Sequence, residues 1–128
     1  MADETTWTAS PFVSEIEQIS EGDEELRALI RQTAWQMDTY GAFSVSDKVS
    51  MCNYYANRLC CEAADRAMQV FGGLGYSRHQ QFEHIYRHHR RYRITEGAEE
   101  IQMRRVAGYM FGYMNQQAPK GVKSLTGR

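Results

Sequence analysis

The octapeptide Gln69-Val70-Phe71-Gly72-Gly73-Leu74-Gly75-Tyr76 reads in two ways, and the choice between them sets the fold. A glycine-rich phosphate loop follows a strand and opens a helix, and in its P-loop form it ends in Gly-Lys-Ser/Thr. Here the glycines close a long segment of helical apolar periodicity, and no Gly-Lys-Ser/Thr comes after them. They read as a helix C-terminus followed by a chain reversal, because glycine enters left-handed backbone without steric cost. The glycines therefore point to a helical domain and not to a dinucleotide-binding sheet.

Working outward, the segment that these glycines terminate predicts a long helix over about 45–71. Ser44 with Asp47 resembles a capping box at its start. The buried stripe of this helix is expected at Val45, Val49, Cys52, Ala56, Leu59, Ala63, Met68 and Val70 or Phe71. Before it, Gly22-Asp23 opens a helix carrying Leu26, Leu29, Ile30, Ala34, Met37 and Tyr40, which Gly41 ends. The two long helices are expected to pack antiparallel. Ser10-Pro11 can start a short helix over 12–19, with proline at the first helical position, within a weakly structured segment 1–22. After the glycines, a third helix is expected over 80–91 and a fourth from just after Thr95 to about Gln117. Residues 118–128 read as a mobile polar tail, leaving 23–117 as the folded domain. The fold class is all-α, an up-and-down four-helix bundle.

Composition is consistent with this. A chain of 128 residues with 42% apolar content supports one small core, and both prolines, Pro11 and Pro119, lie near the ends. A net charge of −1 excludes global attraction to nucleic acid or anionic lipid. No apolar run approaches the roughly 18–20 residues that span a bilayer, and the acidic N-terminus lacks the build of a signal peptide. Cys52, Cys60 and Cys61 have neither metal nor redox spacing and read as packed, reduced thiols. A cytoplasmic protein is expected.

Two further stretches carry chemistry. In His84-Ile85-Tyr86-Arg87-His88-His89-Arg90-Arg91-Tyr92-Arg93, His84 and His88 stand one helical turn apart, as zinc-binding imidazoles do. Four arginines in ten residues oppose a dication, and no further ligands complete a set. The run suits a solvated basic face, or a surface for a phosphate-bearing ligand. In Ile94-Thr95-Glu96-Gly97-Ala98-Glu99-Glu100-Ile101, the favourable interaction of acidic side chains with the helix dipole, about 0.3–1 kcal/mol, accounts for all three carboxylates. Glu96 adds something more: it precedes Gly97 in a turn, where a side chain can be aimed into a cleft.

In their order and spacing these stretches resemble the signature of the acyl-CoA dehydrogenases. A long helix ends Gln-x-x-Gly-Gly-x-Gly-Tyr at Gln69, Gly72, Gly73, Gly75 and Tyr76; Tyr86-Arg87 follows, and then Ile94-Thr95-Glu96-Gly97. The resemblance covers about 24–114, and Asp38-x-x-Gly41 is compatible with it. It implies the C-terminal helical domain of an FAD-dependent enzyme that dehydrogenates acyl-CoA thioesters at the α and β carbons. Glu96 matches the catalytic base, and Gln69, Gly72 and Gly73 match positions that meet the adenine end of a neighbouring subunit's FAD.

The departures shape what is expected. Ala98 stands where the family often has a flavin-touching threonine, and His88 where an aspartate follows the arginine. The Arg-x-x-Phe-Gly helix that opens this domain in the family, and the N-terminal helical and β domains, are not found in this sequence. The resemblance therefore implies an incomplete enzyme, inactive alone, whose partners are further copies of itself or the missing dehydrogenase domains, with acyl-CoA as the ligand. The alternative is a non-catalytic oligomeric module that binds a nucleotide or a partner protein. Arg93 and the terminus of the last helix are expected to favour the ionised form of Glu96.

Overall fold

A computed structural model of the chain describes residues 11–114, and for Phe12 the backbone alone. Among these residues four α-helices occur in order: α1 (Pro11–Tyr40), α2 (Ser46–Tyr76), α3 (Phe82–Tyr92) and α4 (Glu99–Met110), with a 3-10 turn at Ala42–Val45 between the first two. The described residues contain no strand, and the all-α class expected from the sequence is what the structure shows. The tail expected at 118–128 lies outside the described residues.

α1 does not begin at Gly22. It runs unbroken from Pro11 through Tyr40, so 11–22 belong to the same helix as the segment after them and are not a weakly structured lead-in. Gly22 serves close packing there, since a β-carbon on it would stand 3.3 Å from Leu59 Cδ1. Gly41 ends the helix as expected, at φ 86°, its amide bonded to Met37 O at 2.9 Å. Ser44 does not cap α2: its hydroxyl turns back to Gly41 O at 2.7 Å inside the 3-10 turn, and Val45 takes the cap position.

α2 is the hub on which the other helices pack. Its contacts with α1 pair Arg66 with Glu15, Leu59 with Gly22, Cys52 with Thr33 and Lys48 with Gln36. Position numbers fall on α2 as they rise on α1, so the two run antiparallel. The opposite side of α2 meets α3 and α4 in succession. Phe71 packs on Phe82 with ring centroids 4.9 Å apart, Asn57 meets His89, and Arg58 reaches Glu99. Near the start of α2, Tyr109 donates to Phe43 O at 3.3 Å. α3 and α4 therefore return along α2 end to end, as one rod broken at 93–98.

This hub position explains why the expected stripe holds only in part, with Val45 buried and Cys52, Ala56, Leu59, Ala63 and Met68 half-buried. Val49, Val70 and Phe71 are exposed, whereas the residues of α2 that are buried are Ser50, Cys61, Ala64 and Gly75. Small side chains let two rods approach α2 from two sides, and a search for large apolar residues on one face does not find them. Among the described residues the buried apolar side chains are Val45, Cys61 and Ala64. Trp35, Phe43, Ile101, Met103, Met110 and Phe111 remain more than half exposed. The described residues thus combine a small core with much open apolar surface.

Candidate functional site

The break between α3 and α4 carries the candidate base. The chain leaves α3 at Tyr92, turns over 93–98 and re-enters helix at Glu99. Within that turn Glu96 adopts φ 61°, the one non-glycine residue with positive φ among the described residues, and Gly97 follows at 95°. A residue with a β-carbon resists this region by about 1–2 kcal/mol, so the surroundings must impose it. They do so visibly. The buried Gln102 side chain donates from Nε2 to Glu96 O at 3.2 Å and to Gly97 O at 3.3 Å. The Glu96 carboxylate is exposed and has no hydrogen bond or ion pair among the described residues.

Arg93 is paired with Glu99, and no hydrogen bond or ion pair joins it to Glu96 among the described residues. It forms a two-pronged pair with Glu99, Nε to Oε2 at 2.8 Å and Nη2 to Oε1 at 3.0 Å. Arg58 of α2 makes a second fork on the same carboxylate, at 3.1 and 3.0 Å. Sequence reasoning read Glu99 as a helix-dipole residue and missed this centre; its signal was a pair of opposite charges six residues apart across a glycine turn. The Arg93 and Arg58 guanidinium groups, in that order, hold the Glu99 carboxyl down at about 2.

A pH dependence follows. Because the folded value lies below the ordinary 4.5, the pair contributes stability in full above that value. The contribution is lost as pH falls from about 4.5 towards about 2. Urea unfolding of the wild type and Glu99→Gln across this window is expected to show the wild-type advantage shrinking with acid. A constant difference would remove the assignment.

The second predicted site lies at the other end of α3. Helical backbone breaks at Gly72, with φ 58° and ψ −140°, before one last helical turn to Tyr76. Gln69, Gly72 and Gly73 are all exposed. Gly75 is different: buried, with Phe71 Cβ 2.7 Å and Met68 O 2.8 Å from where a β-carbon would stand, it lets the chain fold back on α2. Gly72 is needed for its backbone angles. Gly73 has neither reason, for it has negative φ and open space around its β-position. Gly73→Ala is thus expected to leave the chain as stable or to stabilise it by about 0.5–1 kcal/mol, the usual helical gain. A loss of stability in thermal melts would show an internal role instead.

The structure does not bring Glu96 and the glycine turn together. The eleven residues of α3 separate them by about 16 Å at 1.5 Å per residue. His84 and His88 are exposed with ring centroids 6.2 Å apart, and no group of three metal-binding side chains occurs among the described residues. The cysteines are free, and burial pushes the Cys60 thiol up. No helix among the described residues is long and apolar enough to cross a membrane.

A strained carboxylate turn and a bare glycine terminus are held apart on one helical hub. The chain belongs to the acyl-CoA dehydrogenase family: residues 22–111 match the description "Acyl-CoA dehydrogenase, C-terminal domain". It is 33% identical over 84 residues to "Probable acyl-CoA dehydrogenase FadE2" of Mycobacterium tuberculosis, covering 66% of this chain and 21% of that protein. It is 34% identical over 84 residues to "(R)-benzylsuccinyl-CoA dehydrogenase" of Thauera aromatica, covering 66% and 20%. Against "Caffeyl-CoA reductase-Etf complex subunit CarC" of Acetobacterium woodii it is 30% identical over 87 residues, 68% and 22% of the two chains. The chain spans about a fifth of the length of these relatives.

Proposed function

We propose that this chain supplies the base-bearing helical part of a flavin-dependent acyl-CoA dehydrogenase and acts only when assembled with surfaces that hold the flavin and the thioester. The observation that carries the reading is Glu96, an unpaired, exposed carboxylate kept at a left-handed φ of 61° by a buried glutamine. Strain at an outward-pointing charged residue adds nothing to folding and suits a group that meets a substrate.

In this reading Glu96 removes a proton from the carbon next to the thioester carbonyl. The hydride leaves the neighbouring carbon, and the product is a trans-enoyl thioester. Bound FAD supplies the acceptor for that hydride. The residues present fit the adenine end of FAD: the exposed Gly72 and Gly73 leave bare backbone for close approach, with the exposed Gln69 one turn earlier as a polar side chain. They form no enclosure for an isoalloxazine ring. The separation of the glycine turn from Glu96 supports a shared arrangement, in which the Glu96 and the glycines of one copy meet different flavins. The exposed apolar residues of α1 and α4 support the same reading, that a second copy or further dehydrogenase domains cover them.

The visible absorption spectrum after adding FAD and removing unbound excess tests the proposal. A retained flavin band near the molar amount of protein, bleached by acyl-CoA, is the expected result for a completed assembly. A colourless assembly, once further dehydrogenase domains are supplied, would overturn it. A second reading has an observation of its own: His84, Arg87, His88 and Arg91 form an exposed stripe along α3 that pairs with no carboxylate among the described residues. Under that reading the module holds a nucleotide by its phosphates, and titration at low and high salt separates the two, since phosphate-driven binding weakens with salt.

A further inference from the structure

We infer that Glu99, forked by Arg93 and Arg58, and Gln102 are positioning residues that clasp the 93–99 turn and fix the direction of the Glu96 carboxylate. This rests on the reading of Glu96 as the base. Arg93 lies three residues before Glu96 and Glu99 three residues after it, so their paired hydrogen bonds at 2.8 and 3.0 Å close the neck of the loop. The backbone closes at the same place, with Glu99 N bonded to Arg93 O at 3.1 Å. Arg58 then ties this neck to α2, registering the loop against the hub of the fold.

Gln102 works from the inside. Its amide holds both carbonyls of the tip, and a β-carbon at Gly97 would come within 2.8 Å of that nitrogen, so the tip and the amide are fitted to each other. The result is a loop closed at its base and pinned at its tip, with the Glu96 side chain left to face outward. An ion pair that served stability alone would not need to bracket the strained residue symmetrically. Nor would it need a second arginine from another helix, because Arg58, whose side chain is 46% exposed, adds little to stability. Two forks on one carboxylate grip both of its oxygens from two elements and resist its rotation, which is what a neck must do.

The test uses the full chain, isotope-labelled, by NMR. Positive φ brings Hα close to the same residue's HN, so Glu96 gives a strong intraresidue cross-peak only while the turn holds. In Glu99→Gln this cross-peak is expected to weaken to that of ordinary backbone. Exchange of the residue-99 amide is expected to rise roughly tenfold, the factor for losing a charge-assisted bond. Arg58→Gln keeps the Arg93 fork and should give a smaller change in the same direction, so it serves if the first variant folds poorly. Removal of the surface pair at Asp23 and Arg27 by Asp23→Asn should leave both signals unmoved. An unchanged Glu96 cross-peak in both Glu99→Gln and Arg58→Gln overturns the clasp. The base reading fails separately: if Glu96→Gln leaves α-proton exchange of acyl-CoA intact in the assembled flavoprotein, Glu96 is not the base, whatever the clasp does.

Discussion

Gly97→Ala is expected to destabilise the domain by about 2–4 kcal/mol, combining the cost of left-handed backbone with that of displaced buried hydrogen bonds. The position is at φ 95°, where a β-carbon is strained in any surroundings. That carbon also stands 2.8 Å from Gln102 Nε2. Moving the amide aside is sterically cheap, because it is the far end of a flexible side chain. Its consequence is not cheap. Gln102 is buried, and its amide then loses both Glu96 O and Gly97 O. Urea unfolding gives the measurement, with Gly73→Ala as the control that shares the residue types and lacks both penalties. Equal midpoints for the two variants would mean that the 93–99 turn is soft, and the fixed direction of Glu96 would go with it.

Much of this fold was legible because its punctuation is chemical. Gly41 and the Gly72-Gly73-Leu74-Gly75 stretch end their helices by backbone freedom that other residues lack, and the structure places the breaks at Gly41 and Gly72. Gly22 misled for the same reason: in sequence a glycine looks like an end, and its use as a gap for Leu59 depends on a neighbour 37 positions away. The second buried side of α2 was hidden because Ser50, Cys61 and Ala64 are buried by crowding and not by size. Periodicity weighs large apolar side chains, and on α2 three of those, Val49, Val70 and Phe71, are exposed.

The candidate site divides similarly. Glu96, Gln69, Gly72 and Gly73 were named through the order of motifs, since each motif alone has a sufficient structural explanation. The structure adds what order does not contain: the left-handed angle at Glu96, the service of Arg93 to Glu99, and the distance that α3 puts between the two ends. Arg58 was out of reach of sequence reasoning altogether, being 41 positions from Glu99 and brought to it by the antiparallel return along α2.

Glu96→Gln is expected to lower α-proton removal from acyl-CoA in the flavin-loaded assembly by about 100–10,000-fold, the range for loss of a general base. The amide matches the carboxylate in shape and keeps the strained backbone, so stability should scarcely move; what disappears is the negative charge that makes the oxygen a base. Glu96→Gly makes the complementary case. It relieves the left-handed strain while adding backbone freedom to the unfolded chain, and the balance is a gain of about 0.5–1 kcal/mol in stability. Catalysis would again be lost. Opposite signs on stability and rate at one residue separate a carboxylate held for chemistry from one held for folding. If glycine instead destabilised the domain, the exposed Glu96 side chain would be supporting the turn, and the case for a base poised outward would have to rest on the rate measurement alone.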